Sequence, residues 1–92
     1  MKVRFTLSAA RELDEILTYI HGESPQGARK VQARIRHIVD LIAKVPLMGR
    51  PTGKRPDIRR VNTSPYPYVI FYAVTDTEIV IRRIRHMARK PE

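Results

Sequence analysis

An α+β fold, with a helical hairpin on one face of a small and mostly antiparallel sheet, is what this sequence predicts, and three features predict it. Apolar residues recur at helical spacing through two consecutive stretches between Ala9 and Lys44. The last third of the chain instead carries short runs rich in β-branched and aromatic side chains, separated by turn residues. Lys2 to Thr6 alternates charge with hydrocarbon, the pattern of a half-buried strand.

In that first strand Val3 and Phe5 face the core. Ser8 then reads as an N-cap, since its hydroxyl can accept from a free amide of the first helical turn. Leu13, Ile16, Leu17 and Ile20 share one face while Arg11, Glu12, Asp14 and Glu15 take the other, which makes Ala9 to His21 an amphipathic helix ended by Gly22. Ser24-Pro25 repeats the start signal, an N-cap followed by proline at the first helical position. Val31, Ile35, Ile38, Ile42 and Val45 form the stripe of a second helix that runs to about Lys44 and stops before Pro46. So short a connection makes the helices an antiparallel hairpin with their apolar stripes turned together and toward the sheet. Arg29, Lys30, Arg34 and Arg36 lie on its solvated faces.

Pro46 to Asp57 contains three prolines and two glycines and reads as a connecting loop carrying Arg50, Lys54 and Arg55. Ile58 to Thr63 alternates as a strand. Tyr66 to Val74 and Glu78 to His86, joined by Thr75-Asp76-Thr77, form a β-hairpin, so the order is β-α-α-β-β-β with a C-terminal meander. The first strand must join the same sheet, because a lone strand leaves its backbone polar groups unpaired. Tyr66, Tyr68 and Tyr72 share a strand face and serve packing. The last strand begins as Ile79-Val80-Ile81 and then fills with Arg82, Arg83 and Arg85 before His86. It starts in a core and leaves it at a basic edge, where function is expected. Simple alternation puts Arg83 and Arg85 with Ile79 and Ile81, and Arg82, Ile84 and His86 on the other face.

Residues 1–92 are expected to form a single domain, which buries only about 60% of the surface its unfolded chain exposes. Without cysteine there is no disulfide or thiolate chemistry, and neither metal-ligand spacing nor paired catalytic carboxylates occur. No cofactor or metal is expected. No apolar run approaches the roughly 20 residues that span a bilayer, and the charged Met1 to Thr6 stretch is unlike a signal peptide. A cytoplasmic location with no membrane partner is the expectation. Eighteen Lys and Arg against nine Asp and Glu give a net charge of +9. Such a field attracts and steers polyanions, whether nucleic acid or an acidic protein.

Taken in order, the Pro46-Leu47-Met48-Gly49-Arg50 turn, Arg59 opening a strand, Tyr66-Pro67-Tyr68-Val69-Ile70-Phe71-Tyr72 and the closing Ile81-Arg82-Arg83-Ile84-Arg85-His86-Met87-Ala88-Arg89 resemble the RelE/ParE superfamily of bacterial type II toxins. The resemblance covers essentially the whole chain. It implies a toxin neutralised by a cognate acidic antitoxin, ParD-like or of another dimeric DNA-binding type, in a toxin-antitoxin hetero-oligomer. RelE-like members cut messenger RNA on the ribosome, whereas ParE-like members poison DNA gyrase. Cutting RNA needs a base for the 2′-hydroxyl, cations for the phosphate and an acid at the leaving oxygen. RelE-like nucleases carry an arginine where this chain has Val69, and an aromatic acid-base residue, commonly tyrosine, near an end that here reads Met87-Ala88-Arg89-Lys90-Pro91-Glu92. The hydrophobic strand followed by His, a small residue and Arg is similar instead to the ParE-like pattern.

A gyrase inhibitor associated with plasmid stabilization is therefore the expected activity, with Arg59, Arg82, Arg83, Arg85, His86 and Arg89 meeting the target and no catalytic residue. Were the chain a ribosome-dependent endoribonuclease, Lys54, Arg59, Arg83 and His86 would be its catalytic set, His86 being able to act as an acid or base. Leu13, Leu17, Ile20, Arg83 and Arg85 are expected to dock the antitoxin. From a different class, a non-toxic basic interaction or nucleic-acid-binding module would also explain the charge, although helix-turn-helix spacing and zinc ligands are missing.

Overall fold

In the computed structural model, which describes residues 1–88, strand β1 (Lys2–Phe5) leads into helices α1 (Leu7–Glu23) and α2 (Pro25–Lys44). A single 3-10 turn (Pro46–Met48) and strands β2 (Arg50–Pro51), β3 (Ile58–Asn62), β4 (Tyr68–Val74) and β5 (Glu78–His86) follow. The sheet runs β1-β5-β4-β3-β2. β1 lies parallel to β5, and every other pairing is antiparallel.

α1 starts earlier than Ser8 would place it, because Thr6 is the N-cap: its hydroxyl accepts from the Ala9 amide at 3.1 Å and donates to the Arg82 carbonyl at 3.0 Å. One side chain thus starts the helix and ties it to β5. α1 also runs through Gly22, which has no left-handed backbone and stays helical. The single residue Ser24 closes one helix and opens the next, its amide donating to the Ile20 carbonyl and its hydroxyl accepting from Gly27. With Pro25 at the first helical position, α2 needs no longer connection.

α2 supplies the deeper stripe of the core. Val31, Ile35, Ile38 and Ile42 are buried, whereas Val45 is the exposed C-cap, because the helix stops before its stripe returns to the sheet. They pack with Ala9 of α1 on Ile70 and Tyr72 of β4 and Ile79, Ile81 and Ile84 of β5. Leu13, Ile16, Leu17 and Ile20 of α1 stay only partly buried at the margin. The proline-rich segment is more ordered than a loop: β2 pairs with Arg59 and Arg60 of β3 as a fifth strand. Tyr66 lies in the turn before β4, which begins at Tyr68.

The helices cover one sheet face, and a bulge decides which β5 residues meet them. Tyr72 pairs with Ile81 but Phe71 pairs with Arg83, leaving Arg82 without a partner residue. Strict alternation is thereby reset. Ile84 turns inward with Ile79 and Ile81, each no more than 1% exposed, while Arg83 and Arg85 stand across from Phe71 and Val69 on the uncovered face.

Candidate functional site

The basic end of β5 exists because β5 outruns β1, whose pairing ends at Ile81. Beyond that point α1 takes over the exposed strand edge. The Thr6 amide donates to the Ile81 carbonyl at 3.0 Å, and the Glu12 carboxylate accepts from the Ile84 amide at 2.9 Å. Arg83 reaches round the same edge and donates to both Glu12 oxygens from Nε at 3.1 Å, with Nη2 adding a 2.9 Å contact. A planar fork on a carboxylate is the strongest common side-chain pairing. Arg82 is exposed, and Arg85 and His86 are half-buried.

His86 faces Tyr68 across the hairpin, their rings edge to face with centroids 5.5 Å apart. Its Nδ1 accepts from the Ala88 amide at 3.0 Å. With Nδ1 occupied, the proton of the neutral ring sits on Nε2. Burial, and secondarily the Tyr19 phenol, push the Tyr68 hydroxyl above its ordinary range, so Tyr68 stays protonated near neutrality.

Arg59 lies elsewhere, across β3 from Tyr72 on the helix-facing side. Its guanidinium donates to the Gly49 carbonyl at 2.7 Å and the Leu47 carbonyl at 3.3 Å. The Tyr72 hydroxyl, wholly buried, accepts from the Gly49 amide at 2.8 Å and donates to the Pro46 carbonyl at 2.7 Å. Burial raises the Tyr72 phenol while the Gly49 hydrogen bond and Arg59 partly offset it. Together Arg59 and Tyr72 hold the chain between α2 and β2. Lys54 is exposed beyond β2, at the sheet edge away from β5.

On α1, Leu13, Leu17 and Ile20 form a half-buried ridge. Beside it, Leu17 and His21 of α1 and Ala28 and Gln32 of α2 line a groove of about 380 Å³. An amphipathic helix or extended segment laid there would complete the burial of this margin.

The structure therefore gathers Arg82, Arg83, Arg85 and His86 at one end of β5 and keeps Arg59 and Lys54 apart from them. Arg83 and Arg85 share a face with each other but not with Leu13, Leu17 and Ile20. Arg89 lies outside the described residues. Glu12, the residue that organises this end, reads in the sequence as an ordinary acid on a solvated helix face. Only the crossing of α1 over the unpaired edge of β5 distinguishes it from Asp14 or Glu15. Among the described residues no group of three or more His, Cys, Asp or Glu side chains is placed to hold a metal ion, and no helix is long and apolar enough to cross a membrane.

Known proteins share both the sequence and the arrangement. The family model for the ParE toxin of the type II toxin-antitoxin system parDE matches residues 3–91. Putative toxin Y4kP of Sinorhizobium fredii is 41% identical over 80 residues, covering 86% of this chain and 82% of that one. Toxin RelE2 of Caulobacter vibrioides is 36% identical over 88 residues, covering 96% and 97%. Among solved structures, the chromosomal ParDE toxin-antitoxin system from P. aeruginosa aligns with a TM-score of 0.69 at 25% identity, over 94% of this chain and 95% of that chain.

Proposed function

This chain belongs to the ParE toxin family of type II toxin-antitoxin systems, and we propose that it is a cytoplasmic inhibitor of DNA gyrase that a cognate antitoxin holds inactive. One observation supports gyrase over messenger RNA. Of the four groups an RNA-cutting site would use, three are engaged in holding the fold: Arg83 by Glu12, Arg59 by the Leu47 and Gly49 carbonyls, and His86 by Ala88 and Tyr68. Lys54, the fourth, lies at the other sheet edge. General acid-base catalysis needs its groups within hydrogen-bond reach of one substrate atom, and this arrangement keeps Arg59 and Lys54 apart from Arg83 and His86. A protein target needs no such convergence. Arg82, Arg85 and the face of β5 around His86 then supply a cationic contact surface.

The antitoxin side of the reading follows from system membership and from the shape of α1. The half-buried Leu13, Leu17 and Ile20 ridge offers apolar anchors, and the surplus of nine positive charges draws in a ParD-like acidic segment. Charge governs encounter and buried apolar contacts govern release. The experiment that tests the target runs antitoxin-free protein in two parallel reactions, gyrase supercoiling of relaxed plasmid and cell-free translation with primer extension along the message. Lost supercoiling, or gyrase-dependent linear plasmid, with intact message is the expected result. Ribosome-dependent cuts in the message with gyrase unaffected would replace it with the nuclease reading.

A further inference from the structure

On the sheet face that the helices leave uncovered, β2 places Arg50 directly opposite Arg60 of β3. Like charges at directly opposed positions repel and destabilise a strand pair, and among the described residues neither arginine has a carboxylate within ion-pair distance. The Arg60 guanidinium also lies over the Phe71 ring, 5.6 Å from its centroid. Both arginines line a cleft of about 660 Å³ together with Met48 and Asn62, while Pro51 and Val61, which pair with Arg59 and Ile70, border it from the helix-facing side of the strands.

We propose that this cleft is a second antitoxin contact, in which the Arg50–Arg60 pair clamps one carboxylate of an extended acidic segment while a neighbouring apolar side chain packs on the exposed Met48. The proposal rests on the antitoxin reading above. Opposed side chains of a strand pair are about 5 Å apart at Cβ, so two guanidinium forks reach a single oxyanion, which converts a repulsive pair into an attractive triad. Nucleic acid fits the same charge less well. Single strands are gripped by aromatic faces on which bases stack, and here Arg60 covers Phe71 while Tyr68 and Tyr72 are buried. Main-chain pairing does not explain the site either. β2 is a two-residue edge strand, and Pro51 has no N–H to offer an added strand. Recognition is by side chains.

The test titrates isotope-labelled toxin with a short capped peptide of alternating glutamate and valine, and in parallel with an oligothymidylate. Peptide is expected to shift the Arg50 and Arg60 side-chain N–H signals. R50A and R60A are each expected to bind it about tenfold more weakly, the loss of one charge-assisted pair. R36A, which removes the same charge from the exposed face of α2, is expected to change nothing. In the free toxin R50A should raise the melting temperature, since it relieves the opposed charges without removing the Arg60 contact on Phe71. An equal loss in R36A would reduce the site to the general field and overturn the proposal, as would oligothymidylate shifting the pair where peptide does not. An absent peptide response overturns the clamp as well. The antitoxin reading is judged separately, by whether co-expressed antitoxin restores growth with the unsubstituted toxin.

Discussion

Removing the Glu12 carboxylate in two steps separates its roles. Glu12→Gln keeps an oxygen that can accept from the Ile84 amide but ends the ion pair with Arg83, whose side chain is 46% exposed against 21% for Glu12. A pair so open to water is worth about 0.2–1 kcal/mol. Glu12→Ala also orphans the part-buried Ile84 amide on an edge that β1 no longer covers. A hydrogen bond to a charged group adds about 1.5–3 kcal/mol, so the alanine variant should lose about 2–4 kcal/mol in all, summing these contributions. At about 4–8 °C per kcal/mol for a domain of this size, its melting temperature should fall by at least about 8 °C. Urea unfolding measures both variants, and amide hydrogen exchange should show Ile84 opening in Glu12→Ala but staying protected in Glu12→Gln. If both variants lost the same stability, or if Ile84 stayed protected in the alanine variant, the idea that α1 seals the end of β5 would fail.

Three further substitutions probe the fold around the site. A Cβ on Gly49 would stand 2.6 Å from the Tyr72 hydroxyl and 2.7 Å from its ring, so Gly49→Ala should cost about 1–3 kcal/mol through overpacking, read from the urea midpoint. A Cβ on helical Gly22 meets nothing within 4 Å, and Gly22→Ala should stabilise by about 0.5–1 kcal/mol; a loss on thermal melting would count against the continuous α1. The raised Tyr72 phenol makes stability depend on alkaline pH. Because its folded pKa lies above its unfolded value near 10, its contribution is complete below pH 10 and lost as pH rises through the folded value. Tyr72→Phe should cost about 1–3 kcal/mol at neutral pH by orphaning the Gly49 amide, and should shrink the decline measured between pH 9 and pH 11. Finally, the toxin's association rate with its antitoxin should fall as salt rises while its dissociation rate moves little, as stopped-flow mixing would show.

What the sequence made legible was whatever rests on local periodicity. The α2 stripe, the Ser24-Pro25 start and the β4–β5 hairpin appear where spacing and turn residues put them, because each is encoded within one turn or one strand pair. The departures come where a distant partner overrules the local signal. Ser8 carries a good capping hydroxyl, yet Thr6 caps α1, since only Thr6 also reaches the Arg82 carbonyl. Two residues of a segment dense in proline and glycine pair as β2 because Arg59 and Tyr72 pin the preceding turn from below. No count along β5 reveals that Arg82 is bulged, so alternation sends Ile84 outward when burial requires it inward.

The same rule separates the two cationic surfaces. A run such as Arg82-Arg83-Ile84-Arg85 announces itself in sequence and invites a site, but Glu12, 71 residues away, already holds Arg83. Arg50 and Arg60 look unremarkable in a loop and a strand. They become the less compensated charges only when β2 sets them face to face. A charge's availability depends on what opposes it across the sheet, and that is a property of register, which composition does not encode.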